Sequence, residues 1–161
     1  ITWVKLPDVQ TGTERGLVNL QFGTSAGVNF DAISFNQDSD LWRLTSDNLN
    51  RNVNATQGST FEQYSMITAT RAAGTGNFKV YRNTTLIGSG SFTPLEYGAL
   101  ASNNLYSTIG QRFFNTTGGS PAFAADGWIS GSVSSVILYN RALSEVEIAN
   151  IFGAGRTGII I

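Results

Sequence analysis

The stretch Gly131 to Phe152, GSVSSVILYNRALSEVEIANIF, restricts the fold most tightly, because it specifies a strand, one turn and the entry of a short helix. Val133, Val136, Ile137, Leu138 and Tyr139 are β-branched, aliphatic or aromatic, and they lie between Gly131 and the turn-prone pair Asn140-Arg141, which predicts a buried strand. Ser134-Ser135 interrupts its alternation and predicts a bulge. Ser144 and Glu147 have the spacing of a capping box: the hydroxyl accepts from the Glu147 N–H while the carboxylate accepts from the Ser144 N–H. Leu143 and Ile148 occupy the two positions of a hydrophobic staple. Ala149 and Phe152 continue the apolar stripe and Gly153 offers a stop, so the helix is expected near 144–152.

This run, from Gly131, Val133 and Val136 through Leu138-Tyr139-Asn140-Arg141-Ala142-Leu143-Ser144 to Glu147-Ile148, resembles the closing segment of laminin G-like domains in the concanavalin A-like lectin/glucanase superfamily. Upstream, ITWVKLP (Ile1 to Pro7), FKVYRN (Phe78 to Asn83) with TLIGSG after it, and YSTIG (Tyr106 to Gly110) resemble successive strands of that family in the right order. Ser134 stands where the family often carries an acid, and Asn83-Thr84 where it often has Asn-Gly. The resemblance implies an all-β, antiparallel jelly-roll β-sandwich with one short C-terminal helix, and residues 1–161 as a single domain. One or two family strands that usually precede the Ile1 segment are not in this sequence, which is therefore expected to be a fragment of a longer chain.

Composition agrees with one domain: 161 residues are enough to bury roughly two-thirds of the unfolded-chain surface. Charged residues make up 13%, well below the usual ~25%, so Asn, Ser, Thr and Gly must supply much of the surface. Ten Lys and Arg against eleven Asp and Glu leave a net charge of -1, which gives no attraction to phosphate backbones or anionic lipid. No apolar run is long enough for a membrane span. Nucleic acid and membrane insertion are not expected. Ile1 falls inside a predicted strand and the chain ends on Ile159-Ile160-Ile161, an apolar edge that is expected to be covered by neighbouring segments or subunits.

Along the chain, Val18, Leu20 and Phe22 alternate on a half-buried strand, and the parity change between Phe30 and Ile33 predicts a bulge near Asp31-Ala32. Leu41 to Thr45 reads as a short strand, Ser46 to Ser59 as a long Asn/Thr-rich loop, and Phe61 to Ala72 as a strand with Tyr64, Ile67 and Ala69 inward. Asn83-Thr84 joins two strands in a hairpin. Asn103 to Gly110 is a further strand, Phe113 to Asp126 a loop, and Trp128 opens the final strand. Trp3 and Trp128 are assigned to the core. About nine or ten short strands with one helix describe a sandwich or jelly roll.

With no histidine and no cysteine, Ser-His-Asp and Cys-His catalysis and the ordinary zinc sites are excluded. Glycoside hydrolysis needs only two carboxylates about 5–10 Å apart. The catalytic relatives implied by the resemblance carry Glu and Asp at alternate positions of one strand, and this sequence has no such pattern. Glu145 and Glu147 fall in the first helical turn, where acids stabilise the helix dipole. Asn36, Asp38 and Asp40 are oxygen-rich candidates for a calcium site, with an acidic solvated turn as the alternative. For a sugar, which needs an aromatic face and hydrogen-bonding neighbours, the candidates are Trp42 with Arg43, Tyr106, and the run Arg112-Phe113-Phe114-Asn115.

Two functions follow. One is a non-catalytic recognition or adhesion module of laminin G-like type, binding carbohydrate or a surface protein and displayed on the cell surface or a virion, outside the cell. The other is a purely structural virion domain, capsid-decorating or fibre-like, that assembles with neighbouring subunits through strand edges. A glycoside hydrolase is a remote third.

Overall fold

A computed structural model of the protein describes residues 1–7, 14–22, 29–36, 41–46, 51–58, 61–72, 77–91, 107–113 and 123–157. The first strands in chain order are β1 (Thr2–Lys5), β2 (Glu14–Phe22), β3 (Asn29–Asn36), β4 (Leu41–Ser46), β5 (Arg51–Gly58) and β6 (Tyr64–Arg71). There follow β7 (Asn77–Arg82), β8 (Thr85–Ser91), β9 (Ser107–Ile109), β10 (Gln111–Phe113), β11 (Phe123–Trp128), β12 (Ser132–Val136) and one helix, α1 (Glu145–Thr157).

The strands form two sheets. The first has the order β12-β1-β6-β7-β8, and the second the order β10-β11-β2-β3-β4-β5 with β9 also paired to β2. All pairings are antiparallel except that of β11 with β2, which meet in parallel at Trp128 and Gly16. Val4, Ile67, Phe78, Val80 and Ile87 of the first sheet pack against Leu17, Val18, Ile33, Phe35, Trp42 and Leu44 of the second. This inter-sheet layer is the main core, and each such side chain taken fully from water contributes roughly 1.5–3 kcal/mol.

The first sheet is covered on its other face by α1. Ile1, Met66 and Tyr81 form a second cluster there with Leu143 and Ile148, and Trp3, Ile151 and Phe152 pack around it. The capping box is formed as expected: Ser144 N–H donates to Glu147 Oε2 at 2.8 Å, and Glu147 N–H to Ser144 Oγ at 3.3 Å. Leu143 and Ile148 of the staple are both buried. The helix continues past Gly153 to Thr157, beyond the expected end near residue 152. Gly153 carries no positive φ that would end the helix there. Gly155 lets this last part lie directly against the Trp3 ring, which a Cβ at that position would strike.

The bulge at Ser134 is present. Trp3 pairs with Ser135 and Val4 with Val133, leaving Ser134 as the extra residue. The bulge expected near Asp31-Ala32 lies instead on the neighbouring strand: Gly16 pairs with Ser34 and Val18 with Ile33, so Leu17 is the extra residue and β3 stays in register. Both Leu17 and Val18 thereby reach the core. The hairpin at Asn83-Thr84 also forms, with Asn83 at φ 57°. Thr84 takes no positive φ, so glycine is not needed there.

Several expectations are corrected. β5 occupies part of the stretch read as the Ser46 to Ser59 loop; among the described residues it pairs with β4 alone, and Val53 is its sole large apolar residue, so alternation was invisible. β11 begins within the stretch read as the Phe113 to Asp126 loop and ends, rather than opens, at Trp128. Tyr64 is 51% exposed, because Ser65, Ile67 and Ala69 take the inward parity. β1 is an interior strand between β12 and β6, so its edges are covered by strands of the same chain. Ile159 to Ile161 lie outside the described residues.

Candidate functional site

The outward face of the second sheet follows from alternation. Trp42 and Leu44 enter the core, so Arg43 between them faces away; Ile33 and Phe35 enter the core, so Ser34 faces away. Ile129 packs on the same core, which turns Trp128 outward, and Trp128 is 55% exposed. Its assignment to the core is therefore overturned: of two adjacent bulky residues the core takes one, and it takes Ile129.

These outward residues share one registered row. Gln111 pairs with Trp128, Trp128 with Gly16, Gly16 with Ser34, and Ser34 with Arg43. Directly paired residues share a face. At the usual strand spacing, three strand intervals put Trp128 and Arg43 about 14 Å apart. In this row only Gly16, which has no side chain, and the short, buried Ser34 stand between them.

Asn19 fixes the end of the row. It is fully buried on the outward parity, and its Nδ2 donates to Thr108 Oγ1 at 3.0 Å and to the Gln111 carbonyl. Thr108 Oγ1 donates to that same carbonyl at 2.8 Å, and Gly110, at φ 81°, turns the chain between β9 and β10. Asn19 thus holds the turn that sets Gln111 beside Trp128. Its Oδ1 is buried without a hydrogen-bond partner among the described residues.

The expected sugar-binding residues divide. Trp42 is a core residue with no exposed surface, set edge-on to Phe35 with ring centroids 5.2 Å apart, and it presents no face to a ligand. Arg43 is half-buried on the outward face. Arg112 and Phe113 lie on β10, the strand at the opposite edge from β5, four strand intervals or about 19 Å from β4. Tyr106, Phe114 and Asn115 lie outside the described residues. So do Asp38 and Asp40 of the expected calcium site, while Asn36 ends β3 in register with Glu14. Among the described residues no three acidic side chains are grouped as a metal site.

The carboxylates whose side chains are described are held in pairs away from this face. Glu62 lies 3.2 Å from Lys5 Nζ. Glu145 Oε1 accepts from Lys79 Nζ and from the Tyr81 hydroxyl, each at 3.3 Å, tying α1 to β7. The Glu145 contact raises the Lys79 ammonium above its ordinary range, while burial is the main cause raising the Tyr81 phenol. Glu147 accepts from both terminal nitrogens of Arg141 as well as from Ser144, and these contacts hold its carboxyl at about 2.

Two packed sheets, an outward row of mixed aromatic and polar residues, and a capped helix on the far side are thus established. A laminin G family model, described as the concanavalin A-like lectin/glucanases superfamily, matches residues 1–149. The chain belongs to this superfamily. A similar solved structure is a mutant of Trypanosoma rangeli sialidase displaying trans-sialidase activity, with 17% identity and a TM-score of 0.68. That match covers 99% of this chain and 23% of the other, so the chain spans under a quarter of that protein's length, and the likeness is one of fold. No curated protein matches the sequence. Among the described residues, no helix of this superfamily member is long and apolar enough to cross a membrane.

Proposed function

We propose that the chain is a non-catalytic recognition module that binds carbohydrate and is displayed on a larger surface or virion protein. The observation that carries this reading is the half-exposed indole of Trp128 in one row with Arg43 on the outward face of the second sheet. An aromatic face accepts the apolar side of a pyranose, and a guanidinium donates to its oxygens. Membership of a superfamily named for lectins and glucanases supports a saccharide as the ligand class, as does the sialidase named in the structural comparison. The absence of histidine and cysteine, with Glu62, Glu145 and Glu147 engaged in structural pairs, supports binding without catalysis.

A printed glycan array probed with the labelled protein tests the proposal. Retention of a restricted set of glycans is expected; retention of none overturns it. A second reading, a structural domain that packs against neighbouring chains, is favoured by Ile137, Leu138 and Tyr139, which are exposed in succession after β12 at 39%, 63% and 45%. On that reading the array stays empty and the mass in solution rises with concentration.

A further inference from the structure

The first sheet ends at β12, which among the described residues pairs with β1 alone. Its ladder runs one pair past the strand: the Ile1 nitrogen donates to the Ile137 carbonyl at 2.9 Å, and the Ile137 N–H to the Ile1 carbonyl at 2.8 Å. Successive residues of an antiparallel strand turn their backbone groups to opposite edges, so those of Val136 and Leu138 face away from β1. Edge strands are ordinarily protected by charge, proline or a bulge. The Ser134 bulge interrupts this edge, but Ser132 to Asn140 contains no Lys, Arg, Asp, Glu or Pro, and beyond the bulge Ile137, Leu138 and Tyr139 are all exposed.

This open segment is complementary to itself. Turned about a two-fold axis at Leu138 it lies antiparallel to its own copy, and the outward N–H and C=O of Leu138 exchange two hydrogen bonds with those of Leu138 of the partner subunit. One step to either side, Ile137 meets Tyr139 of the partner subunit in the pair type without hydrogen bonds, where side chains approach most closely and an aromatic beside a β-branched residue is favourable. Val136 meets Asn140 of the partner subunit, so no like charges are opposed. We infer that the free edge from Val136 to Asn140 is the contact between two copies of this chain, which join their first sheets into one continuous antiparallel sheet. A two-fold pair uses up the edge on both copies, so association stops at two. The inference goes beyond the recognition reading and does not depend on it, since β12 belongs to the first sheet and Trp128 and Arg43 to the second. Five residues from each copy, against the 20–30 a side of a stable complex, make the pair a weak one, with a Kd of roughly 10–100 µM.

Sedimentation velocity of the full chain from about 1 µM to about 1 mM tests this. The mass is expected to rise from that of one chain to twice that value and no further. Leu138→Lys and Leu138→Glu each set like charges against one another on the axis, so either variant alone should keep the mass of one chain throughout, while an equimolar mixture of the two should pair again. Leu138 is exposed, and melting temperatures of both variants confirm that they fold. A mass that stays at one chain for the unmodified protein, one that climbs past two, pairing that survives either substitution, or a mixture that fails to pair overturns the inference. The glycan array decides the recognition reading separately.

Discussion

The rings of Trp3 and Phe152 lie 5.6 Å apart and within 6° of parallel, so the first strand and the helix near the other end of the sequence are joined through one stacked pair. Arg156 also contacts this ring, its guanidinium carbon 5.8 Å from the Phe152 ring centre. Gly155 makes the stack possible, because the helix backbone approaches Trp3 where any side chain would intrude.

Two glycines of one helix should therefore respond in opposite directions. Gly155→Ala forces Trp3 or the helix to shift and should cost roughly 1–3 kcal/mol. Gly153→Ala meets nothing within 4 Å and should stabilise by up to about 1 kcal/mol through helix propensity. Chemical denaturation of both variants checks this, and a destabilised Gly153→Ala would contradict the helix's passage through that position.

Removal of the cap should be felt without loss of the fold. Ser144→Ala takes away the hydroxyl that bonds both Glu147 N–H and its carboxylate, and should cost about 1 kcal/mol. An unchanged denaturation midpoint would mean that Ser144 does not cap α1 in solution.

Acid should weaken the same corner. Glu147 is held at about 2, from an ordinary 4.5, first by Arg141 and then by the N–H and hydroxyl of Ser144. A carboxylate depressed by folding contributes its full stability above the unfolded value and loses it as pH falls from about 4.5 through about 2. Glu147→Gln should accordingly melt below the unmodified protein at neutral pH and converge with it near pH 2. Because the pair is solvent-exposed, salt should narrow the gap. Parallel melting curves across that interval would contradict the assignment.

What the sequence revealed depended on how local each signal was. The cap, the staple and the Ser134 bulge are written in residues a few positions apart, and they are found as expected. β5 was hidden because an edge strand bearing only Val53 has no alternation to detect. Trp128 was misplaced because a Trp-Ile pair does not say which member faces inward; the packing of Ile129 against the opposite sheet decides that. The row linking Trp128 to Arg43 joins residues from distant parts of the chain through three strand pairings, so no spacing in the sequence announces it.

The β7–β8 hairpin is held from outside as well as within. Asn83 N–H donates to the Met66 carbonyl at 2.7 Å, and its Oδ1 accepts from Met66 N–H at 3.0 Å, with φ at 57°. Asn83→Ala loses the side-chain acceptor and strains the backbone, and should cost about 2 kcal/mol. Asn83→Gly, free of the backbone strain, should cost less. Equal losses in the two variants would show that the left-handed conformation contributes nothing.

The central claim is recognition without cleavage, and one NMR experiment addresses it directly. Saturation-transfer difference spectra of the glycans printed on the array, taken in solution, are recorded with the protein, and the anomeric region is followed over a day. The account predicts transfer to the ring protons of the sugar and anomeric signals that do not change. New anomeric resonances, or no transfer at all, would contradict it.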